Sequence, residues 1–533
     1  MENAVRHEGK RMRAQDTMRY MREWQRIIRI VSMVVSIGTP FVAIAEDVPF
    51  PRDYPVIQSQ QGRRLPPLSS RALMYEAEDG DFFGVRQEKD YQGYTGSGYV
   101  KFPVIEGVSL AVTVTIPQEG YYALRLRSMV KPGDTSLAQV QIDVEERSVG
   151  AQRLTVTGIF SDVLFYYPLW LSKGENRLFI SSLQGEWYLD RLTLEPLTKE
   201  LYQTMLPRRN LVTPNPLPAA QAVYQYLLDM QGKGILSGQQ IYGRSVEINT
   251  IFKEIGKYPA ILGIDLIDYS PSRVERGTKS SVIQEAINYW KKGGLVTCAW
   301  HWNAPTGLID KEPDKRWYSG FYTKATTFDF AAALENPKGR EYALLLRDID
   351  AIAVELKKLQ TAGVPVLWRP LHEASGGWFW WGSKGPEPYK KLYMLLFDRL
   401  VRHHGLTNLI WVWNGQDPAW YPGDDVVDII SVDLYPPERD YRDHEKELRA
   451  LQASSFEPKL CAISENGTLP NVEAIAQKRL PWAWFCTWNG EFVIDGSGKF
   501  SERYTERGVF KAYYEHPWLI TRDEVPSLGR DIQ

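Results

Sequence analysis

The sequence predicts a (β/α)8 barrel preceded by an antiparallel β-sandwich, and two patterns carry this prediction. From residue 73 to 194, short runs of alternating apolar and polar residues are separated by Gly, Pro and Asp turns, as in β-sandwiches. Beyond Pro218, eight apolar strand-like runs alternate with helical stretches of roughly 10 to 20 residues, which is typical of a parallel barrel. A chain of 533 residues is long enough for both domains.

The first 45 residues have the pattern of a secretory signal. A segment rich in Arg and Lys precedes an uncharged run over residues 30–45, which ends in Ala-Ile-Ala and is shorter than the ~20 residues of a spanning helix. An uncleaved anchor is the alternative. We expect cleavage of residues 1–45, a secreted protein, and no membrane association after cleavage. The proline-rich residues 46–70 are expected to form an extended lead-in.

The domain boundaries follow from changes in pattern and from prolines. We place the sandwich at residues 71–197, a short proline-rich linker at residues 198–217, and the barrel at residues 218–533. The linker has no Gly/Ser tract, so we expect a stiff connection and two closely held domains. The predicted barrel strands lie in the runs ILSGQQ, PAILGIDL, LVTCAWHW, VPVLWRPLHEA, LIWVWNG, IISVDLYP, KLCAISENG and AWFCTWNGEF.

A doubly wound open sheet is the main alternative to the barrel. Such a sheet would usually carry a glycine-rich phosphate loop after its first strand, and ILSGQQIYG contains neither GxGxxG nor GKS/T. The barrel is therefore favoured.

Composition excludes some functions and favours others. The formal net charge of −2 provides no basic field, so nucleic acid is not expected as a partner. The three cysteines lack metal-ligand spacing and are expected to be buried, inert thiols. Because flat rings stack on sugars or anchor interfaces, the 18 Trp and 29 Tyr favour a carbohydrate or interface role. The sequence does not predict an oligomeric state.

Two glutamates end separate predicted barrel strands, Glu373 the fourth and Glu465 the seventh. Functional groups of barrels lie at the carboxyl ends of strands, and two carboxyls about 5 to 5.5 Å apart would perform retaining glycoside hydrolysis. The aromatic residues that follow Glu373 favour a neutral acid, so we assign it as acid/base. Asn466 and Tyr435 could hold Glu465 as an anion, so we assign it as nucleophile. The alternative is that both are ordinary surface or salt-bridged carboxylates.

The stretches HWNAP, RPLHEASGGWFWWG, DLYPP and ISENG, in this order and spacing, resemble glycoside hydrolase family 26. The similarity spans roughly residues 218–519. It implies an endo-β-1,4-mannanase that needs no catalytic cofactor, with mannan-type polysaccharide as its partner. It also implies that Glu373 is the acid/base and Glu465 the nucleophile. The substrate-binding residues implied by the resemblance are His301, His372, Trp378, Tyr435 and Trp488.

Strict strand alternation would turn His372 away from the barrel mouth if Glu373 faces it. A bulge or bend at the end of the fourth strand must therefore be present. The side chains of Trp380, Trp381, Trp411 and Trp413 are expected to divide between subsites and core.

The N-terminal runs MYEAEDG, GYTGSGYV and WYLDRLTL resemble a family 35 carbohydrate-binding module. This resemblance implies a structural Ca²⁺, whose preferred oxygen ligands would come from Glu76, Glu78 and Asp190. Solvated acidic residues are the alternative. The side chains of three further residues could form a sugar platform, although core packing is the commoner role for aromatic residues in a sandwich: Tyr94, Tyr99 and Trp187.

Three functions stay open at this stage. The leading one is hydrolysis of internal β-1,4-mannosidic bonds with retention; the same chemistry on β-1,3-xylan or mixed-linkage β-glucan is the second. The third is a non-catalytic protein that binds polysaccharide, or protein partners, through its aromatic residues. Endo or exo action and tolerance of galactose branches cannot be read from these patterns.

Overall fold

The computed structural model describes residues 65–105, 107–132 and 137–530 and contains both predicted architectures. The secretory signal and most of the extended lead-in lie outside the described residues. Two antiparallel sheets form the N-terminal domain, and a closed parallel barrel follows. Among the helices of the described ranges, none combines the length and the apolar character that a membrane span requires.

The sandwich consists of a seven-stranded and a five-stranded sheet. Its core is made by the inward-facing apolar residues of both sheets, as the alternating pattern predicts. The larger sheet has the order β10-β6-β12-β4-β3, with β1 on β12 and β9 on β6, and the smaller sheet has the order β2-β5-β11-β7-β8. The strands are β1 (Leu73–Glu76), β2 (Asp81–Phe83), β3 (Arg86–Glu88), β4 (Tyr99–Phe102), β5 (Ser109–Ile116), β6 (Gly120–Met129), β7 (Gln139–Val144), β8 (Arg147–Arg153), β9 (Ser161–Leu164), β10 (Leu169–Leu171), β11 (Gly174–Gln184) and β12 (Trp187–Pro196).

The barrel has eight parallel strand positions, the first of which is split into two short pieces. It closes because β14 pairs with both β15 and β21. Most residues of these strands are buried on both faces, which explains their continuous apolar runs. The strands are β13 (Ile235–Leu236) with β14 (Gly238–Gln240), then β15 (Ile261–Asp265), β16 (Leu295–Ala299), β17 (Val366–Arg369), β18 (Leu409–Trp413), β19 (Ile429–Leu434), β20 (Leu460–Asn466) and β21 (Trp482–Thr487), with β22 (Leu519–Ile520) beside β13.

Helices surround the barrel, and the sequence marks several of their ends. Pro218 and Pro386 each occupy the first position of a helix, where the missing N–H costs no hydrogen bond. The helices are α1 (Lys199–Met205), α2 (Pro218–Met230), α3 (Val246–Ile255), α4 (Pro271–Val274), α5 (Val282–Lys291), α6 (Phe330–Glu335), α7 (Arg340–Thr361), α8 (Pro386–Phe397), α9 (Glu445–Gln452), α10 (Val472–Lys478) and α11 (Arg507–Glu515).

The segment predicted as a proline-rich linker contains a helix. Thr198 caps α1 by accepting the N–H of Leu201, and Leu201 and Met205 pack against the sandwich. The connection therefore has its own contacts with the first domain.

The sandwich also contacts the barrel domain directly through two arginines. Arg449 on α9 donates from Nε to the Ser148 hydroxyl at 3.0 Å. From the sandwich side, the guanidinium of Arg153 lies 4.1 Å from the centre of the Phe456 ring. These contacts hold one sandwich sheet against the barrel wall.

Candidate active site

The carboxyl end of the barrel collects ionisable groups from several strands. Strand β17 ends at Arg369, and β15 ends at Asp265. The pairing of β19 with β20 shifts by one residue near their ends, after which Asp433 lies opposite Glu465. Such a shift changes the alternation of side chains and here brings two acidic residues to adjoining positions.

The bend that the alternation argument requires follows β17. The strand ends at Arg369, and two later residues, Leu371 and Glu373, have positive φ angles of 52° and 53°. Non-glycine residues rarely adopt this conformation, and it interrupts strand alternation. His372 and Glu373 can therefore both contribute to the same site although they are adjacent in sequence.

Glu373 and Glu465 converge, as the strand-end argument predicts. One carboxylate oxygen from each of Glu373, Asp433 and Glu465 lies within 4.8 Å of the others. This proximity fits the short separation of a retaining glycosidase, whereas inverting enzymes hold their carboxyls about 6.5 to 9.5 Å apart. The cationic guanidinium of Arg369 contacts both Asp433 and Glu465.

Glu465 accepts hydrogen bonds from two side chains. The Tyr435 hydroxyl donates to Oε2 at 2.6 Å, and Arg369 donates to Oε1. Both donors orient the carboxyl group of Glu465 within the site. The prediction that Asn466 helps to hold Glu465 is wrong. The Asn466 side chain donates instead to the Thr468 carbonyl and the Thr487 hydroxyl. Successive residues of a strand point to opposite faces, so Asn466 points away from Glu465.

Glu373 lies in a different environment, which favours its protonated form. Burial and the nearby charge of Glu465 raise the pKa of Glu373 to about 7, against the opposing effect of Arg369. Trp378 donates from Nε1 to Oε2 at 2.9 Å, and Gln416 donates to Oε1 at 3.3 Å. The two glutamates thus have the unequal environments that acid and nucleophile require.

Sequence reasoning missed two charged residues of the site, Arg369 and Asp433. Asp433 accepts from Arg369 at 3.1 Å and from Asn414 at 2.7 Å. Burial and the charge of Glu465 nevertheless outweigh Arg369 and raise the pKa of Asp433 well above its ordinary value. A signal was available, because each is a charged residue inside an otherwise apolar strand run.

The predicted histidines meet at the barrel mouth. Nε2 of His301 lies 3.2 Å from Nε2 of His372, and the ring centres of His301 and Trp488 are 5.9 Å apart. Asp265, a third missed residue, approaches Nδ1 of His301 to 2.5 Å. The structure therefore gathers the predicted binding residues, including Trp378 and Tyr435 beside the two glutamates.

The further tryptophans do not divide between subsites and core. All four are fully buried. Trp381 stacks on Phe379 with ring centres 4.6 Å apart and donates to the His372 carbonyl at 2.9 Å. It therefore helps to hold the backbone of the site at His372. The four are Trp380, Trp381, Trp411 and Trp413.

The three cysteines are buried free thiols, as expected, and burial raises the pKa of each.

In the sandwich, the carboxylates predicted to bind Ca²⁺ surround the loop at residues 95–98. Thr95 donates to Glu76 at 2.7 Å and, through its backbone N–H, to Asp190 at 2.8 Å. Glu78 accepts two backbone N–H groups on Oε1, whereas its Oε2 is buried with no hydrogen-bond partner among the described residues. The three carboxylates do not bring one oxygen each within 4.8 Å of one another. The calcium site stays a prediction.

The suggested sugar platform of the sandwich is wrong for two of its three residues. Tyr99 and Trp187 are fully buried, and Trp187 stacks on Phe102 with ring centres 4.0 Å apart. Tyr94 is half-buried against Tyr99. These aromatic residues belong to the packing of the module.

Paired, unequal carboxyls at the carboxyl end of a closed parallel barrel define a glycoside hydrolase of the (β/α)8 class. The sequence profile of glycosyl hydrolase family 26 matches residues 212–524. The chain belongs to glycosyl hydrolase family 26.

Relatives of known name cover most of the chain. A mannan endo-1,4-β-mannosidase of Thermothelomyces thermophilus is 41% identical over 467 residues, which are 86% of this chain and 91% of the relative. The crystal structure of a Podospora anserina GH26-CBM35 β-(1,4)-mannanase is 40% identical and covers 86% of this chain and 99% of its own, with a TM-score of 0.56. A β-mannanase from a symbiotic protist of the termite Reticulitermes speratus, complexed with gluco-manno-oligosaccharide, is 31% identical over 60% of this chain and 99% of its own, with a TM-score of 0.52.

Proposed function

We propose that the protein is a retaining endo-β-1,4-mannanase in which Glu373 is the acid/base and Glu465 the nucleophile. The observation that carries this proposal is the approach of their carboxylate oxygens to within 4.8 Å in unequal environments. The choice of mannan rests on the names of relatives that span most of the chain.

The first step transfers the sugar to the enzyme. An oxygen of Glu465 attacks the anomeric carbon, the bond to the leaving sugar breaks, and Glu373 gives its proton to the departing oxygen. Tyr435 and Arg369 donate hydrogen bonds to Glu465 and orient it for this attack. The products are a covalent glycosyl ester and a free chain end.

The second step releases the sugar and restores the enzyme. Glu373, now ionised, takes a proton from a water molecule, whose oxygen attacks the anomeric carbon and displaces Glu465. Two inversions give net retention. The side chains of His301, His372, Trp378 and Trp488 supply polar groups and rings for binding the sugar.

Product sizing after incubation with mannan, β-1,3-xylan and lichenan tests the substrate and the mode of cleavage together. We expect oligosaccharides of mixed length from mannan and no comparable products from the other two. Glu465→Ala should lose activity by several orders of magnitude yet still bind oligosaccharide, whereas Glu515→Ala, at an exposed helix end, should match the wild type. Binding to mannan without any cleavage would instead favour the non-catalytic alternative.

We also propose that the protein is secreted after removal of residues 1–45, which the basic segment and short apolar run support. N-terminal sequencing of protein recovered from the medium should begin at Glu46. Retention of the apolar run in a membrane fraction would contradict this.

The sandwich, we propose, binds a structural Ca²⁺ through Glu78 together with Glu76 and Asp190. The buried, unpartnered oxygen of Glu78 supports this, since a hard cation prefers such donors. Asp190 also forms an ion pair with Arg127 at 2.9 Å. This ion pair leaves fewer lone pairs of the Asp190 carboxylate for coordinating an ion. Chelation should lower the melting temperature and added Ca²⁺ should restore it, with the effect lost in Glu78→Gln. Equal melting temperatures with and without chelator would contradict the proposal.

A further inference from the structure

Gln416 follows β18 and contacts the acid/base Glu373, and the mechanism above gives it no role. Its Nε2 donates to Oε1 of Glu373 at 3.3 Å, while Trp378 donates to Oε2 at 2.9 Å. A carboxylate can only accept hydrogen bonds, so the nitrogen end of the Gln416 amide is the one that faces ionised Glu373. Each oxygen of the Glu373 carboxyl group is therefore held by its own donor.

The backbone of Gln416 has an unfavourable conformation. Its φ angle is 65°, in a region that Asn and Gly adopt more readily than a residue with a longer side chain. Such strain persists only where the surrounding structure imposes it, and it clusters at functional sites. Asn would suit this backbone better than Gln, so the property that distinguishes Gln416 is the longer reach of its amide.

Backbone hydrogen bonds join the loop of Gln416 to the loop of Glu373. The N–H of Glu373 donates to the Asn414 carbonyl at 2.7 Å, and the N–H of Ser375 donates to the Gly415 carbonyl at 3.3 Å. Gln416 comes directly after these two carbonyls. The position of its side chain relative to the Glu373 carboxyl group is thus set by the paired backbones of the two loops.

We propose that Gln416 is a positioning residue that holds the carboxyl group of Glu373 in the orientation for proton transfer to and from the sugar. This inference rests on the proposed function, which makes Glu373 the acid/base. In the first step the carboxyl group must direct its proton at the departing oxygen, and in the second it must direct a lone pair at the attacking water. The Gln416 donor also stabilises the ionised carboxylate that the first step leaves behind.

Gln416→Asn removes the contact and keeps the backbone, because the amide becomes one methylene shorter and Asn accepts a positive φ. We expect kcat/KM on mannan to fall about tenfold with little change in the melting temperature. On an aryl oligomannoside whose leaving group needs no proton, kcat/KM should stay within about twofold of the wild type. A merely structural role would lower both values, so equal losses on the two substrates would overturn the proposal, as would full activity on mannan.

The same variant should raise the pKa of Glu373 above its wild-type value of about 7, because a donor to the ionised form is lost. Carbon NMR of the full chain with labelled glutamate carboxyls measures this pKa, and the resonance is assigned by its absence in Glu373→Gln. A titration midpoint in Gln416→Asn at or below the wild-type value would overturn the proposal. The charges that act on Glu373 are the same in both proteins and belong to Glu465, Arg369, Asp433 and His301.

Gln477→Asn is the matched control. Gln477 donates from Nε2 to Oε1 of Glu473 at 2.7 Å, which is the same pair of groups on the exposed surface of α10. This variant should match the wild type on both substrates and in the titration of Glu373. A wild-type protein that does not cleave mannan would refute the proposed function, whereas the titration would still decide whether Gln416 acts on Glu373.

Discussion

Glu373 is the residue that should set the pH dependence of the reaction. Its carboxyl must carry a proton to assist the leaving group, and its pKa is raised to about 7 by burial and by Glu465. We therefore expect kcat/KM to fall as the pH rises through about 7. A pH profile of kcat/KM measures this, and a profile that stays flat from pH 6 to 9 would contradict the assignment.

Glu373→Ala gives an independent check of the same role. The variant should be nearly inactive on mannan but should still release an aryl leaving group that needs no protonation. An equal loss on both substrates would argue that Glu373 acts in some way other than as an acid.

The two glutamates could be predicted because each ends an apolar run at a position where barrels carry function. Arg369 and Asp433 were harder to predict, because a single charge within a strand can be a buried ion pair or a surface residue. Their importance depends on distances to Glu465, which follow from the strand register. That register includes a shift which periodicity alone does not contain.

The loop after β17 is the element on which the site geometry depends most. A Cβ added at Gly382 would lie 2.0 Å from the Ala374 carbonyl oxygen, a backbone atom that cannot rotate away. Gly382→Ala should displace the loop that carries Glu373, lower kcat/KM at least about tenfold and reduce the melting temperature. Activity assays and calorimetry measure both effects.

Gly508→Ala is the matched control for this prediction. Gly508 lies on α11, and an added Cβ there meets no atom within 4 Å. Alanine favours the helix by up to about 1 kcal/mol, so this variant should keep full activity and equal or greater stability. Full activity in Gly382→Ala would contradict the dependence on the loop.

For secondary-structure elements, the sequence predicts where strands and helices lie but not how they end. The helices α5, α7 and α8 follow the expected apolar periodicity. The bend after β17 could be inferred only as a necessity, because two non-glycine residues adopt positive φ there. Tertiary contacts, including the hydrogen bond from the Glu373 N–H to the Asn414 carbonyl at 2.7 Å, hold this conformation.

The whole molecule should unfold as one unit if the sandwich and the barrel stabilise each other. Arg153 and Arg449 carry contacts between them, and burial lowers the pKa of Arg153 to about 10. We expect one calorimetric transition in the wild type and two resolved transitions in the variant Arg153→Ala/Arg449→Ala.

Arg147→Ala serves as the comparison, since Arg147 donates a hydrogen bond to the Trp170 carbonyl of its own domain. It should unfold like the wild type. A double variant with one transition at the wild-type temperature would show that these arginines do not couple the domains. The sequence predicts the order of the domains and a stiff connection, but it cannot identify these arginines, because they look like ordinary surface cations until the domains are placed together.

The most direct test of the account is the anomeric configuration of the first product released from mannan. Proton NMR during the initial phase of hydrolysis, before mutarotation, distinguishes the two anomers. With Glu373 and Glu465 acting by double displacement, the new reducing end should first appear as the β-anomer. Initial formation of the α-anomer would contradict the assignment of Glu465 as nucleophile.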